Sequence, residues 1–165
     1  MAKQSNNVMK YCASTTKNHP LAKKHRECIE KISDACKTAG AKSSPFDQEI
    51  CLNLDKVEDQ KAKCDGRNKH KTMDIAFGIK SKEMILCDFK FNCENPNNLK
   101  HKDLKGKISY SEILLGQTIS IHKPYLFLFE SKIKRQALNL IRRLFTNKPD
   151  EVDVLDIDEF KKKYF

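Results

Sequence analysis

The sequence predicts a single α/β domain in which helices flank a mixed β-sheet. Segments 73–79 and 83–91 are rich in β-branched and aromatic residues and flank a short charged link, a pattern typical of two antiparallel strands. Residues 125–129 form a continuous apolar run, which is typical of a strand buried on both faces. Helical patterns surround these strands, and 165 residues suit one domain with one core.

The N-terminal part of the chain is predicted to be helical. Residues 1–17 are polar and without pattern, so they predict either an arm outside a domain spanning 18–165 or a first short helix. Residues 21–39 carry an apolar stripe with a period of 3.6, which predicts one helix ending at Gly40.

The interpretation of residues 45–60 stays open at this point. Ser44 and Pro45 are typical of a helix start, and the apolar residues that follow predict a helix to about residue 60. The alternation of Ile50, Leu52 and Leu54 instead predicts a strand over residues 49–55.

The predicted hairpin places two acids beside each other. A turn over residues 80–82 pairs Ile79 with Glu83, and the same register places Asp74 directly opposite Asp88. Directly opposed residues have Cβ atoms about 4.5–5.5 Å apart, so both carboxylates could bind one divalent cation. The period of two puts Lys90 on the Asp88 face and leaves the other face of this strand apolar.

The neighbours of the two acids suit a reaction site. Ala76 and Gly78 share their face and are small, which predicts open space for a substrate. Two adjacent carboxylates repel each other, and a hard cation with Lys90 nearby resolves the repulsion. Such a group suits hydrolysis of a phosphodiester. An ordinary polar face is the alternative, because D-x-K is a short motif.

Asp74, followed after thirteen residues by Asp88-Phe89-Lys90 at the end of an apolar strand, resembles the pattern of the PD-(D/E)XK nuclease superfamily. The resemblance covers residues 45–146 and implies a restriction-endonuclease-like fold. It implies that Asp74, Asp88 and the Phe89 carbonyl bind Mg²⁺, for which Mn²⁺ would substitute, and that Lys90 positions water. Glu49 matches a glutamate that the preceding helix often contributes to the metal.

The charge of the chain favours an anionic polymer as its partner. The net charge is +10, which is enough to hold nucleic acid by counterion release. Two basic segments, residues 61–71 and 100–107, flank the hairpin, and a solubilising role is the alternative to phosphate contact. The predicted phosphate contacts are Lys63, Arg67, Lys69, Lys71, Lys102, Lys105 and Lys107.

Several protein classes are excluded by the composition. No apolar run approaches the ~20 residues of a membrane span, and no signal-peptide core follows the N-terminus. Seven cysteines without a C-x-x-C pair predict reduced, buried thiols in a cytoplasmic protein. The spacing of His19, His25, Cys28 and Cys36 matches no familiar zinc motif.

The resemblance implies a Mg²⁺-dependent endonuclease that cleaves DNA in preference to RNA. Small basic nucleases of this superfamily include bacterial toxins and defence components, so an acidic immunity protein or another protein partner is also implied. The alternative function is a catalytically silent nucleic-acid-binding or protein-binding module of such a system.

Overall fold

A six-stranded mixed β-sheet forms the centre of the protein in a computed structural model, which describes residues 9–165. The strands are β1 (Ile29–Lys31), β2 (Ile50–Asn53), β3 (Ile75–Gly78), β4 (Met84–Lys90), β5 (Tyr125–Phe129) and β6 (Val152–Leu155). They lie side by side in chain order. Pairs from β1 to β4 are antiparallel, whereas β4–β5 and β5–β6 are parallel. The predicted α/β class with a mixed sheet is confirmed.

Helices cover both faces of this sheet. They are α1 (Ala13–Asn18), α2 (Pro20–Lys24), α3 (Ile32–Thr38), α4 (Leu54–Asp65), α5 (His101–Leu115), α6 (Lys134–Leu144) and α7 (Ile157–Tyr164). On one face, Leu86 packs in a core with residues of α4, α5 and α6. On the other, Cys87 packs with residues of α3 and α7. No helix within residues 9–165 is long and apolar enough to cross a membrane.

The prediction of one helix over residues 21–39 is wrong. The segment instead forms α2, a 3-10 turn over Arg26–Cys28, strand β1 and helix α3. Ile29 pairs with Leu52 and Lys31 with Ile50. Pairing with β2 therefore outweighs the helical periodicity, as tertiary contacts commonly do. The predicted stop holds, since α3 ends just before Gly40, which has a φ of +98°.

The strand alternative for residues 49–55 is confirmed by β2, and the helix from residue 45 is wrong. Residues 50–53 fill the gap between β1 and β3. Helix α4 begins only afterwards, at Leu54, where the Asn53 side chain accepts a hydrogen bond of 2.9 Å from the Lys56 N–H.

The hairpin between β3 and β4 has the predicted register. Ile75 pairs with Cys87 and Gly78 with Met84, and the Ile79 N–H donates to the Glu83 carbonyl over 3.0 Å. The three intervening residues form the turn, in which Lys82 has a positive φ of 64°. The period-two prediction of the two faces of β4 is also confirmed, because Leu86 and Cys87 belong to different cores.

The C-terminal half follows the sequence patterns closely. Strand β5 has the predicted bounds and is buried throughout. The apolar pattern predicts helices over residues 104–119 and 132–145, and helices α5 and α6 occupy most of these residues. Helix α5 ends before Gly116, whose φ is +76°. The tail forms edge strand β6 and helix α7, and Asp156 and Glu159 form a capping box at the start of α7.

Residues 11–17 belong to the packed fold rather than to a separate arm. Tyr11 forms a β-bridge with Ile79, and α1 is the first short helix that the sequence allowed. The Thr16 hydroxyl accepts a 2.8 Å hydrogen bond from the Gly78 N–H. The prediction for residues 1–8 lies outside the described residues.

The open space predicted beside Ala76 and Gly78 is absent. Ala76 is fully buried in the core. A Cβ atom on Gly78 would lie 2.5 Å from Thr15 Cβ and 2.6 Å from the Thr16 backbone nitrogen. Gly78 therefore allows α1 to pack directly on the sheet, and the small residue serves the fold rather than a substrate.

Replacing Gly78 by alanine should destabilise the protein by about 1–3 kcal/mol, because helix α1 would have to shift. Urea unfolding measures the loss. Gly106→Ala is the matched control, since a Cβ there meets no atom within 4 Å. Within helix α5 it should stabilise by up to about 1 kcal/mol. Equal effects of the two substitutions would contradict this packing.

Candidate active site

Asp74 and Asp88 face each other at one end of the β3–β4 hairpin. Asp74 directly precedes Ile75, whose partner is Cys87, so the same register places it opposite Asp88. Ile79 and Glu83 form a hydrogen-bonded pair. Counting back along the ladder puts the two acids at a non-hydrogen-bonded position, where side chains are closest.

The Asp88 carboxylate is fully buried and binds two ammonium groups. Lys90 Nζ lies 2.9 Å from Asp88 Oδ2, and Lys107 Nζ lies 3.2 Å from both Asp88 oxygens. Lys90 comes from the same strand, whereas Lys107 comes from helix α5. An isolated buried carboxylate would be strongly destabilising, and these two cations compensate its charge.

The Asp74 carboxyl has a strongly perturbed acidity. Its Oδ2 accepts a hydrogen bond of 2.6 Å from the Phe89 N–H. The pKa of Asp74 is raised to about 7, first by burial and then by the charge of Asp88 and a hydrogen bond with it. Two adjacent carboxylates that share a buried site do not both ionise freely. Asp74 is therefore poised to lose its proton when a cation binds.

Lys90 keeps its proton in this environment. Burial lowers the pKa of Lys90, but the charge of Asp88 and the hydrogen bond to it outweigh burial, so the pKa is raised overall. Its side chain is only 17% exposed. At neutral pH Lys90 is therefore charged and donates a hydrogen bond to Asp88.

The oxygen atoms at this position suit a hard divalent cation. Asp74 and Asp88 supply two carboxylates. The N–H and C=O of a strand residue point to the same side, so the Phe89 carbonyl faces the same side as the N–H that binds Asp74. Carboxylate and carbonyl oxygens are the ligands that Mg²⁺ and Mn²⁺ prefer. The donor set therefore fits the metal that the resemblance implies.

A cavity of about 400 Å³ opens beside Asp74, whereas Asp88 is buried behind it. Thr72, which is only 5% exposed, is among the lining residues, and its hydroxyl is buried without a hydrogen-bond partner. Buried polar atoms of this kind are normally satisfied, so the cavity suits a polar ligand or water. Its lining consists of Asp55, Lys71, Thr72, Asp74, Lys90, Asn98, Leu99, Lys100, Asp103, Leu104 and Lys107.

A larger cavity, of about 620 Å³, lies on the other flank of α5 and includes Lys105 in its lining. Its two carboxylates are occupied, because Glu112 binds the Tyr125 hydroxyl and Glu151 binds Lys123. The cavity at Asp74 is lined by one acid of the facing pair and by Lys90 and Lys107, both of which bind the other acid, and it is therefore the better candidate site.

The structure does not bring Glu49 to the two acids. Leu54 N–H donates to the Asp74 carbonyl over 3.0 Å, so Glu49 lies five residues along β2, at the far end of β3. Its carboxylate binds Lys161 Nζ at 2.9 Å. Burial raises the pKa of Glu49, but the Lys161 hydrogen bond helps to lower it overall. The acid that α4 does bring to the cavity is Asp55, paired with Lys69 at 2.7 Å.

Arg67 has a structural role that the sequence did not indicate. Its guanidinium donates to the fully buried Glu58 over 2.9 and 3.1 Å and to the Tyr110 hydroxyl over 3.0 Å. Glu58 also accepts a 2.7 Å bond from the His70 N–H. This cluster ties the loop before Asp74 to α5, the helix that carries Lys107.

The other predicted phosphate contacts occupy different surroundings. Lys63 pairs with Asp59 at 3.0 Å on the surface of α4. Lys71 is exposed and lines the cavity, and Lys102 is exposed on α5. Lys105 lines the larger cavity instead, and Lys107 binds Asp88. Lys71 and Lys107 therefore line the same cavity as Lys100, which is not among the predicted phosphate contacts.

The spacing of the buried residues in α5 could have predicted that Lys107 lies on the face of the helix that packs near the acids. Leu104, Ile108 and Ser111 are buried residues of α5, and positions three or four apart share a helix face. Lys107 lies three after Leu104 and four before Ser111. Ser111 accepts a 2.8 Å hydrogen bond from the Met73 N–H, which fixes this face of α5 against the residue preceding Asp74.

The possible zinc ligands are only partly brought together. His25 and Cys28 lie with Glu27 in a group whose ligand atoms are within 4.8 Å of one another, and neither His19 nor Cys36 belongs to it. His25 Nδ1 is 2.8 Å from Gln60 Oε1. This group lies apart from the paired acids and gives no support for Mg²⁺. All seven cysteines are free thiols, four of them buried.

Asp74→Asn should stabilise the metal-free protein, and more at pH 8 than at pH 5. The folded pKa of Asp74, about 7, lies above the ordinary value of 3.8. Between these values the folded state binds more protons, so stability falls as pH rises. Asparagine removes this destabilisation and keeps an acceptor for the Phe89 N–H.

The expected gain at pH 8 exceeds about 1 kcal/mol, because one pKa unit corresponds to about 1.4 kcal/mol. Urea unfolding in EDTA at both pH values measures it. A gain that is equal at pH 5 and pH 8 would contradict the raised pKa.

No protein-family model, curated protein or solved structure matches the chain. The support for a function comes from the geometry of the cavity and the charges around it.

Proposed function

We propose that this protein is a metal-dependent endonuclease with a PD-(D/E)XK-type site, acting on DNA in preference to RNA. The observation that carries the proposal is the fully buried Asp88, with Asp74 opposite it and Lys90 Nζ at 2.9 Å. Asp74 and Lys90 line the same cavity, and Asp88 lies buried between them and Lys107. Two carboxylates with a lysine at a cavity suit hydrolysis of a phosphodiester.

The roles of the residues follow from their environments. Asp74, Asp88 and the Phe89 carbonyl would hold Mg²⁺ or Mn²⁺. When bound, the ion would supply Lewis acidity and lower the pKa of a water molecule. Lys90, protonated and held by Asp88, orients the attacking water and stabilises negative charge on the phosphate.

Nucleic acid is the substrate class that fits the surroundings of the cavity. Lys71 and Lys100 are exposed and line the cavity, and Lys102 is exposed in the first turn of α5. Ammonium groups at such positions contact phosphates. The preference for DNA rests on the resemblance alone, and the same basic surface would suit an acidic immunity protein.

Supercoiled plasmid incubated with Mg²⁺ or Mn²⁺ should be cut by the wild-type protein and protected by EDTA. Asp88→Asn and Lys90→Met should each lower the rate by about 10² or more, because each removes charge from the reacting centre. Lys132→Met is the control for Lys90→Met, because it also removes one positive charge but at an exposed position in a 3-10 turn. A tRNA substrate tests RNA in parallel.

A catalytically silent nucleic-acid-binding module is the second candidate. The observation that favours it is the neutralisation of Asp88 by Lys90 and Lys107, which satisfies the buried charge without a metal ion. Gel-shift binding of the same plasmid separates the two. Binding that survives in Asp88→Asn, with no cleavage by any variant or the wild type, would leave the silent module and overturn the nuclease.

A further inference from the structure

Lys107 occupies an unusual position among the lysines of this protein. Its Nζ lies 3.2 Å from both oxygens of Asp88, so it bridges the carboxylate symmetrically. A cation bound by both oxygens of one carboxylate approaches it from that same direction. Lys107 therefore lies on one of the paths by which a divalent ion can reach Asp88.

The contact of Lys107 with Asp88 is the weaker of the two ion pairs. Charge-assisted N–H···O bonds are typically about 2.7–2.9 Å long. The Lys90 contact, at 2.9 Å, falls in this range, whereas both Lys107 contacts are longer. Lys90 is also held two residues from Asp88 in the same strand. Lys107 reaches the site from α5 on a flexible stem that lines the cavity, so it has space to move.

We propose that Lys107 and the divalent cation compete for Asp88, so that Lys107 sets the metal concentration at which the site becomes loaded. This inference rests on the proposed function. The buried site holds two carboxyl groups and two ammonium groups, and a bound cation makes one ammonium redundant. Release of Lys107 keeps the charge near balance and turns its ammonium toward the cavity, where a substrate phosphate is its partner.

The backbone around Lys107 supports a side-chain movement rather than a shift of the helix. Ser111 binds the Met73 N–H, and Tyr110 binds Arg67 and Glu58, each through contacts of 3.0 Å or less. Tyr110 and Ser111 lie one helical turn after Lys107, and their contacts fix this part of α5 to the loop before Asp74. Competition with a cation would therefore exchange one side-chain contact and leave the fold unchanged.

Isothermal titration of Mn²⁺ into the metal-free protein tests the competition. Lys107→Met keeps the length of the stem but lacks the ammonium, and it should bind Mn²⁺ roughly tenfold more tightly than wild type, as expected for loss of a charged hydrogen bond. Lys132→Met removes the same charge at an exposed position and should match wild type. Thermal unfolding verifies that each variant is folded.

The other outcomes overturn either the competition alone or the proposed function as well. Equal or weaker binding by Lys107→Met overturns the competition and leaves the nuclease proposal intact. An equal gain in Lys107→Met and Lys132→Met reduces the effect to net charge and also overturns it. Absence of Mn²⁺ binding in all three proteins overturns the proposed function and this inference together.

A second measurement uses only the wild-type chain. Lysine acetylation mapped by mass spectrometry should label Lys107 several-fold faster in saturating Mn²⁺ than in EDTA, because its ammonium has left the Asp88 carboxylate. Lys132 serves as the internal reference and should react at the same rate in both. Unchanged labelling of Lys107 at saturating Mn²⁺ would overturn the competition even if the Lys107→Met variant fails to fold.

Discussion

Burial of the Asp88 carboxylate is the constraint on which the rest of the site depends. A carboxylate without exposure to solvent carries a desolvation penalty of several kcal/mol unless charges and hydrogen bonds offset it. Asp88 lies on β4, between antiparallel β3 and parallel β5, so both edges of its strand are paired. Compensation must come from side chains above the sheet, and Lys90 and Lys107 supply it.

Asp74 adds a second carboxyl group to the buried site of Asp88. A single ion pair would satisfy Asp88, yet the fold adds a second carboxyl group opposite it and a second ammonium from α5. Burial and then the charge of Asp88 raise the pKa of Asp74 to about 7, so ionisation of Asp74 opposes folding. Groups that conflict locally are expected at functional sites, where stability is lost in return for activity.

Most of this geometry could be predicted from the sequence, because it depends on local rules. The period of two along β4 and a three-residue turn were enough to place Asp74 opposite Asp88 and Lys90 beside it. Strand β5 was equally clear from its continuous apolar run. These features need no knowledge of distant parts of the chain.

The other features of the fold and the site depend on contacts between distant segments, which the periodicity of the sequence does not predict. Strand β1 has a helical pattern and becomes a strand only because β2 lies beside it. The late start of α4 leaves Glu49 at the far end of β3, where it binds Lys161 of the C-terminal helix. The role of Lys107 required the packing of α5 on the sheet, although its spacing from Leu104 and Ser111 carried a readable signal.

If Asp74 and Asp88 form one cation site, crystals soaked in Mn²⁺ should show an anomalous scattering peak between them. The peak is expected about 2.0–2.3 Å from a carboxylate oxygen of each residue, at distances usual for such ions, with Lys107 Nζ displaced from Asp88. A saturating soak that leaves no peak between the two carboxylates, with both lysines still on Asp88, would contradict it.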